Sequence, residues 1–105
     1  NQQYLLPENS QLPVVHVCAF ERLKTYYSPT LDKKKSCIKI ISNISHNNVD
    51  YEEIFNQEFQ ELTNIGNRFR IRHHEIGKIE IIDPNYYDYL YHRCLSLIIL
   101  SIKYL

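Results

Sequence analysis

Three arginines and two histidines are crowded into one short stretch of this sequence. Arg68, Arg70 and Arg72 stand at alternate positions, and His73 and His74 follow at once. Guanidinium groups suit phosphate oxygens, and imidazole exchanges protons near neutral pH. A neutral histidine can take the proton of a ribose 2′-hydroxyl as it attacks the adjacent phosphate, while an arginine stabilises the charge on the phosphate oxygens. The stretch therefore indicates metal-independent RNA cleavage, with Arg68, His73 and His74 as the catalytic candidates.

Further polar residues extend this candidate site. The candidates for binding the nucleic acid are Asn67, Arg70, Arg72, Lys78 and Tyr91. Asp88 and His92, four residues apart, share one helix face, where Asp88 could orient His92 as a base or both could join His73 and His74 around a metal. No tight ligand-spacing motif is present, so we expect no metal and no other cofactor. The structural alternative is that the arginines pair with acidic side chains of the preceding helix and the histidines interact with its carbonyl end.

The overall charge excludes a protein that holds nucleic acid through a global field. Twelve basic and twelve acidic side chains give a formal net charge of zero, so any such binding must be local. A length of 105 residues suits one domain. We expect an N-terminal arm over 1–12 and a helical domain over 13–105, as part of a longer protein.

The cysteines and the apolar segments indicate a cytoplasmic protein without a membrane span. Cys18, Cys37 and Cys94 are odd in number and lie in apolar runs without a Cys-x-x-Cys motif, which is typical of buried thiols in a reducing compartment. The run from Leu95 to Leu105 is shorter than the roughly 20 residues that a bilayer requires.

Helical periodicity predicts two helices in the first half of the chain. The first is capped by Ser10 and ends near Tyr27, with an apolar stripe at Val15, Ala19, Leu23 and Tyr26. The second is capped by Thr30 and stops at the polar run 45–48, with its stripe at Leu31, Ile38, Ile41 and Ile44 and the lysines on the other side.

Two more helices are predicted in the second half. Asp50 and Glu53 form a capping box, and the apolar stripe that follows is Tyr51, Phe55, Phe59, Leu62, Ile65 and Phe69. Beyond Arg68 the residues alternate, which leaves open a short β-hairpin that turns near Gly77. Asp83 and Pro84 open the last helix, which is apolar nearly all round and therefore either central or in an interface. We expect an all-α, four-helix up-and-down bundle.

The arginine–histidine spacing resembles that of the HEPN superfamily. These are small four-helix domains whose ribonuclease members carry an arginine followed four to six residues later by a histidine, near the end of a long helix before the last one. Asn67 and His73 are similar to the asparagine and histidine of abortive-infection C-terminal domains, where Gly66 would occupy the place of the arginine. If Arg68 is matched to that arginine, Phe69 replaces the polar residue that usually follows.

The resemblance implies two alternative functions. One is a homodimeric, metal-independent endoribonuclease of a bacterial phage-defence or toxin system, with two motifs facing each other across one cleft, RNA as substrate and a partner domain or antitoxin. The other is a non-catalytic, HEPN-like dimerisation or regulatory module of a larger effector protein.

Overall fold

The structure is a computed structural model that describes residues 19–70 and 76–105. Its helices are α1 (residues 19–24), α2 (Lys33–Ser45), α3 (Val49–Arg68) and α4 (Pro84–Ile102), and two short strands, β1 (Phe69–Arg70) and β2 (Ile79–Glu80), lie between α3 and α4. The all-α class is confirmed. The predicted cap at Ser10 and the arm over 1–12 lie outside the described residues.

Contacts between the helices show that their directions alternate. Phe20 packs on Phe59 with ring centroids 5.4 Å apart, and four residues later Lys24 reaches Thr63, so α1 and α3 run the same way. Ser42, near the end of α2, donates a hydrogen bond to Glu52 near the start of α3, so these two helices are antiparallel. The ring of His46, just after α2, lies 4.9 Å from that of Tyr104, just after α4, which places the ends of α2 and α4 together.

The helix caps confirm one prediction and correct two. Asp83 caps α4 as predicted, accepting from the Asn85 N–H at 2.8 Å with proline in the first turn. The cap of α2 is Asp32 and not Thr30, because the chain turns until residue 31 and only Asp32 is extended next to the first helical residue. The cap of α3 is Asn48, whose side chain accepts from the N–H of Asp50.

The capping box predicted for Asp50 and Glu53 is therefore wrong. The chain reverses through His46 and Asn47, both with positive φ, and Asn48 returns to extended backbone. This puts Asp50 already inside the first turn, where its carboxylate favours the positive end of the helix dipole instead of capping it.

The core lies where all four helices meet. Ile40 is fully enclosed at its centre, and the other buried apolar side chains are Phe20, Leu23, Ile41, Ile44, Phe59, Leu62, Cys94 and Leu97. The stripe predicted for the third helix agrees with this core at Phe59 and Leu62, but Tyr51 is exposed.

The stripes predicted for the first two helices are partly wrong. In α1 Phe20 and Leu23 are buried, and Tyr26 lies exposed in the turn after the helix. In α2 Ile40 takes the central place and Ile38 is exposed, because two residues correspond to about 200° of rotation around a helix.

The segment between α3 and α4 is not a hairpin. Phe69 pairs with Ile79 and Arg70 with Glu80 in parallel register, whereas a hairpin requires antiparallel strands. Both strands therefore run in the same direction. The prediction of a hairpin that turns near Gly77 is wrong for this reason, although Gly77 does adopt a positive φ of 86°.

Candidate functional site

Arg68 is the last residue of α3, and its side chain is exposed. Its guanidinium carbon lies 5.5 Å from the centroid of the Phe69 ring, a cation–π contact that orients the group. Within residues 19–70 and 76–105, no carboxylate lies within salt-bridge distance of this guanidinium. Arg68 therefore offers its charge to solvent or to an anion.

Lys78 lies against the end of α3. Its ammonium group donates a hydrogen bond of 3.3 Å to the carbonyl oxygen of Gly66. A cation at this position satisfies a carbonyl of the last turn and matches the negative end of the helix dipole. Lys78, which directly precedes β2, thus connects this part of the chain to the end of α3. Asn67, which follows Gly66 in α3, is exposed.

The remaining residues of the arginine–histidine stretch lie outside the described structure. This holds for Arg72, His73 and His74, and for the side chain of Arg70, whose backbone forms β1. The convergence of Arg68 and His73 on one phosphate consequently stays a prediction.

Asp88 and His92, the predicted pair on α4, do not bond to each other. The ring of His92 lies 4.9 Å from that of Tyr91 at 68°, an edge contact between neighbours in sequence. No hydrogen bond or ion pair joins Asp88 to His92 in the described part of the chain. His92 turns instead toward a groove between α3 and α4.

That groove has a volume of about 950 Å³. Its lining includes amide, hydroxyl and aromatic side chains, namely Gln57, Gln60, Asn64, Tyr89, His92 and Ser96. Phe55, Leu97 and Leu100 add an apolar part that borders the core.

A charged pair spans the groove. Arg93 donates two hydrogen bonds to Glu58, from Nε at 2.9 Å and from a terminal nitrogen at 2.8 Å, and the same terminal nitrogen lies 3.7 Å from Glu61. These hydrogen bonds to Glu58 raise the pKa of Arg93 above its already high value. The pair binds α4 to α3 with the planar geometry that arginine and carboxylate share.

A second charged side chain, Lys24, joins α1 to α3 on the opposite side of α3. It is only 3% exposed, and its ammonium group contacts Glu21 at 2.7 Å and the Thr63 hydroxyl at 3.0 Å. It also lies 4.6 Å from the centroid of the Phe20 ring. Sequence reasoning missed both the Lys24–Thr63 contact and the Arg93–Glu58 pair, because the partners are 39 and 35 residues apart and no local pattern connects them.

Seven exposed apolar side chains lie at one end of the bundle. The start of α3 and the end of α4 meet there, since Ile54 and Leu100 line the same groove and His46 contacts Tyr104. We call this surface the apolar end and define it by its exposed residues Val49, Tyr51, Ile54, Ile99, Ile102, Tyr104 and Leu105.

The described residues contain neither a candidate metal site nor a membrane-spanning helix. No group of three or more histidine, cysteine, aspartate or glutamate side chains could hold a metal ion among residues 19–70 and 76–105. In the same residues, every helix is too short or too polar to cross a lipid bilayer.

Comparison with known proteins adds no relative to this geometry. No protein-family model, no curated protein and no solved structure matches the chain. The site has to be interpreted from its own residues.

Proposed function

We propose that this domain is a dimerisation module of HEPN-like shape that pairs with a second copy of itself through the apolar end. The observation that carries the proposal is the clustering of exposed apolar side chains where α3 begins and α4 ends. Monomeric soluble proteins rarely leave contiguous apolar patches larger than a few hundred Å² in contact with water.

The size of the apolar end suits a protein interface. If each of its seven side chains presents about 100 Å², roughly half of what a large side chain buries, the total is on the order of 700 Å². An interface of standard size takes about 800 Å² from each partner.

The charges around the apolar end suit a copy of the same surface. Asp50 in the first turn of α3, Glu53 in the next turn and Lys103 after α4 are all exposed, so both signs of charge surround one apolar centre. A two-fold axis places the same patch on both sides of the interface, and it can bring Lys103 of one copy opposite a carboxylate of the other. The apolar end can therefore pair with the apolar end of a second copy.

The test compares the oligomeric state of the chain with that of two lysine variants. Ile54→Lys adds a cation one turn before Glu58, and Ile102→Lys adds one at the carbonyl end of α4, so both changes are compatible with their helices. Each puts an unpaired charge in the proposed interface and is expected to weaken the dimer by at least about 100-fold. Sedimentation velocity over a dilution series measures the change.

The matched control is Ile82→Lys, which alters an exposed isoleucine just before α4, away from the apolar end. We expect it to dimerise like the unaltered chain. Circular dichroism verifies that all three variants keep their helices. A chain that stays monomeric at every concentration, or a dimer that Ile54→Lys and Ile102→Lys leave intact, rules out the proposal.

A metal-independent endoribonuclease is the second candidate, and the exposed, uncompensated guanidinium of Arg68 favours it. In this function His73 takes the proton of the 2′-hydroxyl as its oxygen bonds to the phosphorus, and Arg68 stabilises the charge on the phosphate. The bond to the 5′-oxygen breaks, and the leaving oxygen takes a proton from water. RNA cleavage in the presence of a chelator should fall at least about 100-fold in Arg68→Ala and His73→Ala. Arg22→Ala, which removes an exposed arginine elsewhere, is the control. Equal cleavage in all of these proteins excludes the enzyme.

A further inference from the structure

A basic and aromatic surface lies on the α1–α2 side of the molecule, away from the arginine–histidine stretch. The turn over residues 25–30 folds back along α2 and is fastened to it at Tyr27. The Tyr27 N–H donates to the Ser36 hydroxyl at 3.2 Å, and Asn43 donates to the Tyr27 hydroxyl at 3.3 Å. Both ends of Tyr27 are therefore bound to one helix, which fixes the orientation of its ring.

This fixed ring supports a second, accessible tyrosine. Tyr26 lies nearly perpendicular to Tyr27, with ring centroids 5.0 Å apart and an angle of 89°. Tyr26 is 55% exposed. The sequence predicted Tyr26 in the apolar stripe of the first helix, but the structure leaves its ring open to a flat ligand.

Cations stand beside the two rings. Lys39 lies 4.8 Å from the centroid of the Tyr27 ring and lines a hollow of about 320 Å³ together with Tyr26, Ser28, Thr30 and Leu31. Lys35 is one helical turn away from Lys39 and on the same face of α2.

The positive charge of this surface is largely uncompensated. Glu21 engages Lys33 at 2.9 Å. Lys34, Lys35 and Lys39 are exposed, and over residues 19–70 and 76–105 no carboxylate lies within salt-bridge distance of them. A neutral protein thus carries a local positive field beside an open aromatic ring.

We infer that the surface formed by Tyr26, Lys34, Lys35 and Lys39 binds single-stranded nucleic acid. An exposed ring supplies a platform on which a base can stack, and neighbouring lysines that lack carboxylate partners attract the phosphates that flank it. The hydroxyl groups of Ser28 and Thr30 in the hollow can bond to phosphate or sugar oxygens. An acidic peptide would satisfy the lysines, but it would leave Tyr26 without a stacking partner.

The probe for this inference is a fluorescein-labelled deoxythymidine strand about 15 nucleotides long, long enough for one such site. It lacks the 2′-hydroxyl, so the chemistry considered for Arg68 and His73 cannot consume it. Fluorescence anisotropy should show saturable binding. The affinity should fall with salt at a slope of about −2 in log K against log salt, as three lysine–phosphate contacts predict for a single strand.

Two variants test the separate contributions of ring and charge. Tyr26→Ala should weaken binding about 5- to 150-fold with an unchanged salt slope, because it removes one stacked base and no charge. The double variant Lys35→Ala/Lys39→Ala should weaken binding and reduce the size of the slope by about 1.4, since two cations are lost.

The control matches Tyr26 in type and exposure. Tyr86→Ala removes a tyrosine that is 52% exposed at the start of α4, and it should bind the strand as the unaltered chain does.

Three results would overturn the inference. The first is an absence of binding at low salt, and the second is an equal loss of affinity in Tyr86→Ala and in the site variants. The third is binding of polyglutamate as tight as that of the strand. The last result would identify an acidic protein as the occupant. The inference does not rest on the proposed dimer. Ile102→Lys, the variant that weakens the dimer, can be titrated with the same strand, so binding is measured separately from dimerisation.

Discussion

Two cationic side chains join α3 to its neighbours, Lys24 from α1 and Arg93 from α4, and their surroundings are opposite. Lys24 is enclosed by protein and makes an ion pair, a hydrogen bond and a ring contact. Arg93 lies at the open groove, where 22% of its side chain is exposed, and relies on the carboxylate of Glu58.

The comparison shows that similar bonds contribute differently to the free energy of unfolding when one is buried and the other is open to water. A buried cation that loses its partners keeps the full desolvation penalty, whereas water replaces a lost partner in an open groove. The α1 side of α3 is therefore expected to tolerate change poorly, and the α4 side to tolerate it well.

The largest expected effect follows from emptying the buried position. Lys24→Ala leaves a cavity beside Phe20 and removes the bond to Thr63, and we expect it to lower the free energy of unfolding by about 3 kcal/mol. Lys24→Met keeps most of the volume and should lose only about 1 kcal/mol, because an apolar side chain needs no partner there. Urea denaturation of both variants measures the difference. Equal losses would contradict the view that this lysine fills space as well as carrying charge.

A smaller effect is expected at the groove. Arg93→Ala should lower the free energy of unfolding by about 1 kcal/mol, and the loss should shrink at high salt because a partly exposed pair is screened. Arg22→Ala, at an exposed position of α1, serves as the control and should be nearly neutral. A loss at Arg93 as large as that of Lys24→Ala would show that the two sides of α3 are equivalent.

The smallest effect concerns pH on the α1 side. Burial raises the pKa of Glu21, but the hydrogen bonds from Lys24 and Lys33 outweigh it, so the pKa in the folded chain is lowered. The carboxylate then stabilises the fold above its unfolded pKa of about 4.3 and loses this contribution as the pH falls through the folded value. Because Glu21 is about half exposed, the contribution is modest.

We expect Glu21→Gln to lose less stability than the unaltered chain between pH 5 and pH 3. Urea midpoints over this range measure it, with Glu53→Gln as an exposed control. Parallel curves for the unaltered chain and Glu21→Gln would contradict the lowered pKa.

The sequence predicted those elements that local chemistry determines. Asp83 followed by proline defined the start of α4, and the apolar spacing of α3 located Phe59 and Leu62 in the core. Local signals failed where two neighbours compete for one role. Asn48 and Asp50 both suit a cap, and the backbone reversal before Asn48 decides between them.

The candidate site was less predictable because its parts are distant in sequence. Spacing alone drew attention to Arg68, and the structure adds that its guanidinium is exposed beside Phe69. The pairing of Arg93 with Glu58 depends on how α3 and α4 lie against each other. No pattern within a single helix contains that information.

The reversal at His46 and Asn47 has a consequence for the order of folding. It joins α2 to α3 within three residues, so their contact encloses little chain and costs little loop-closure entropy. The hydrogen bond of Lys24 to Thr63 and the ion pair of Arg93 with Glu58 must instead close loops of more than thirty residues. We expect the α2–α3 pair to be structured in the transition state, with α1 and α4 docking on it afterwards.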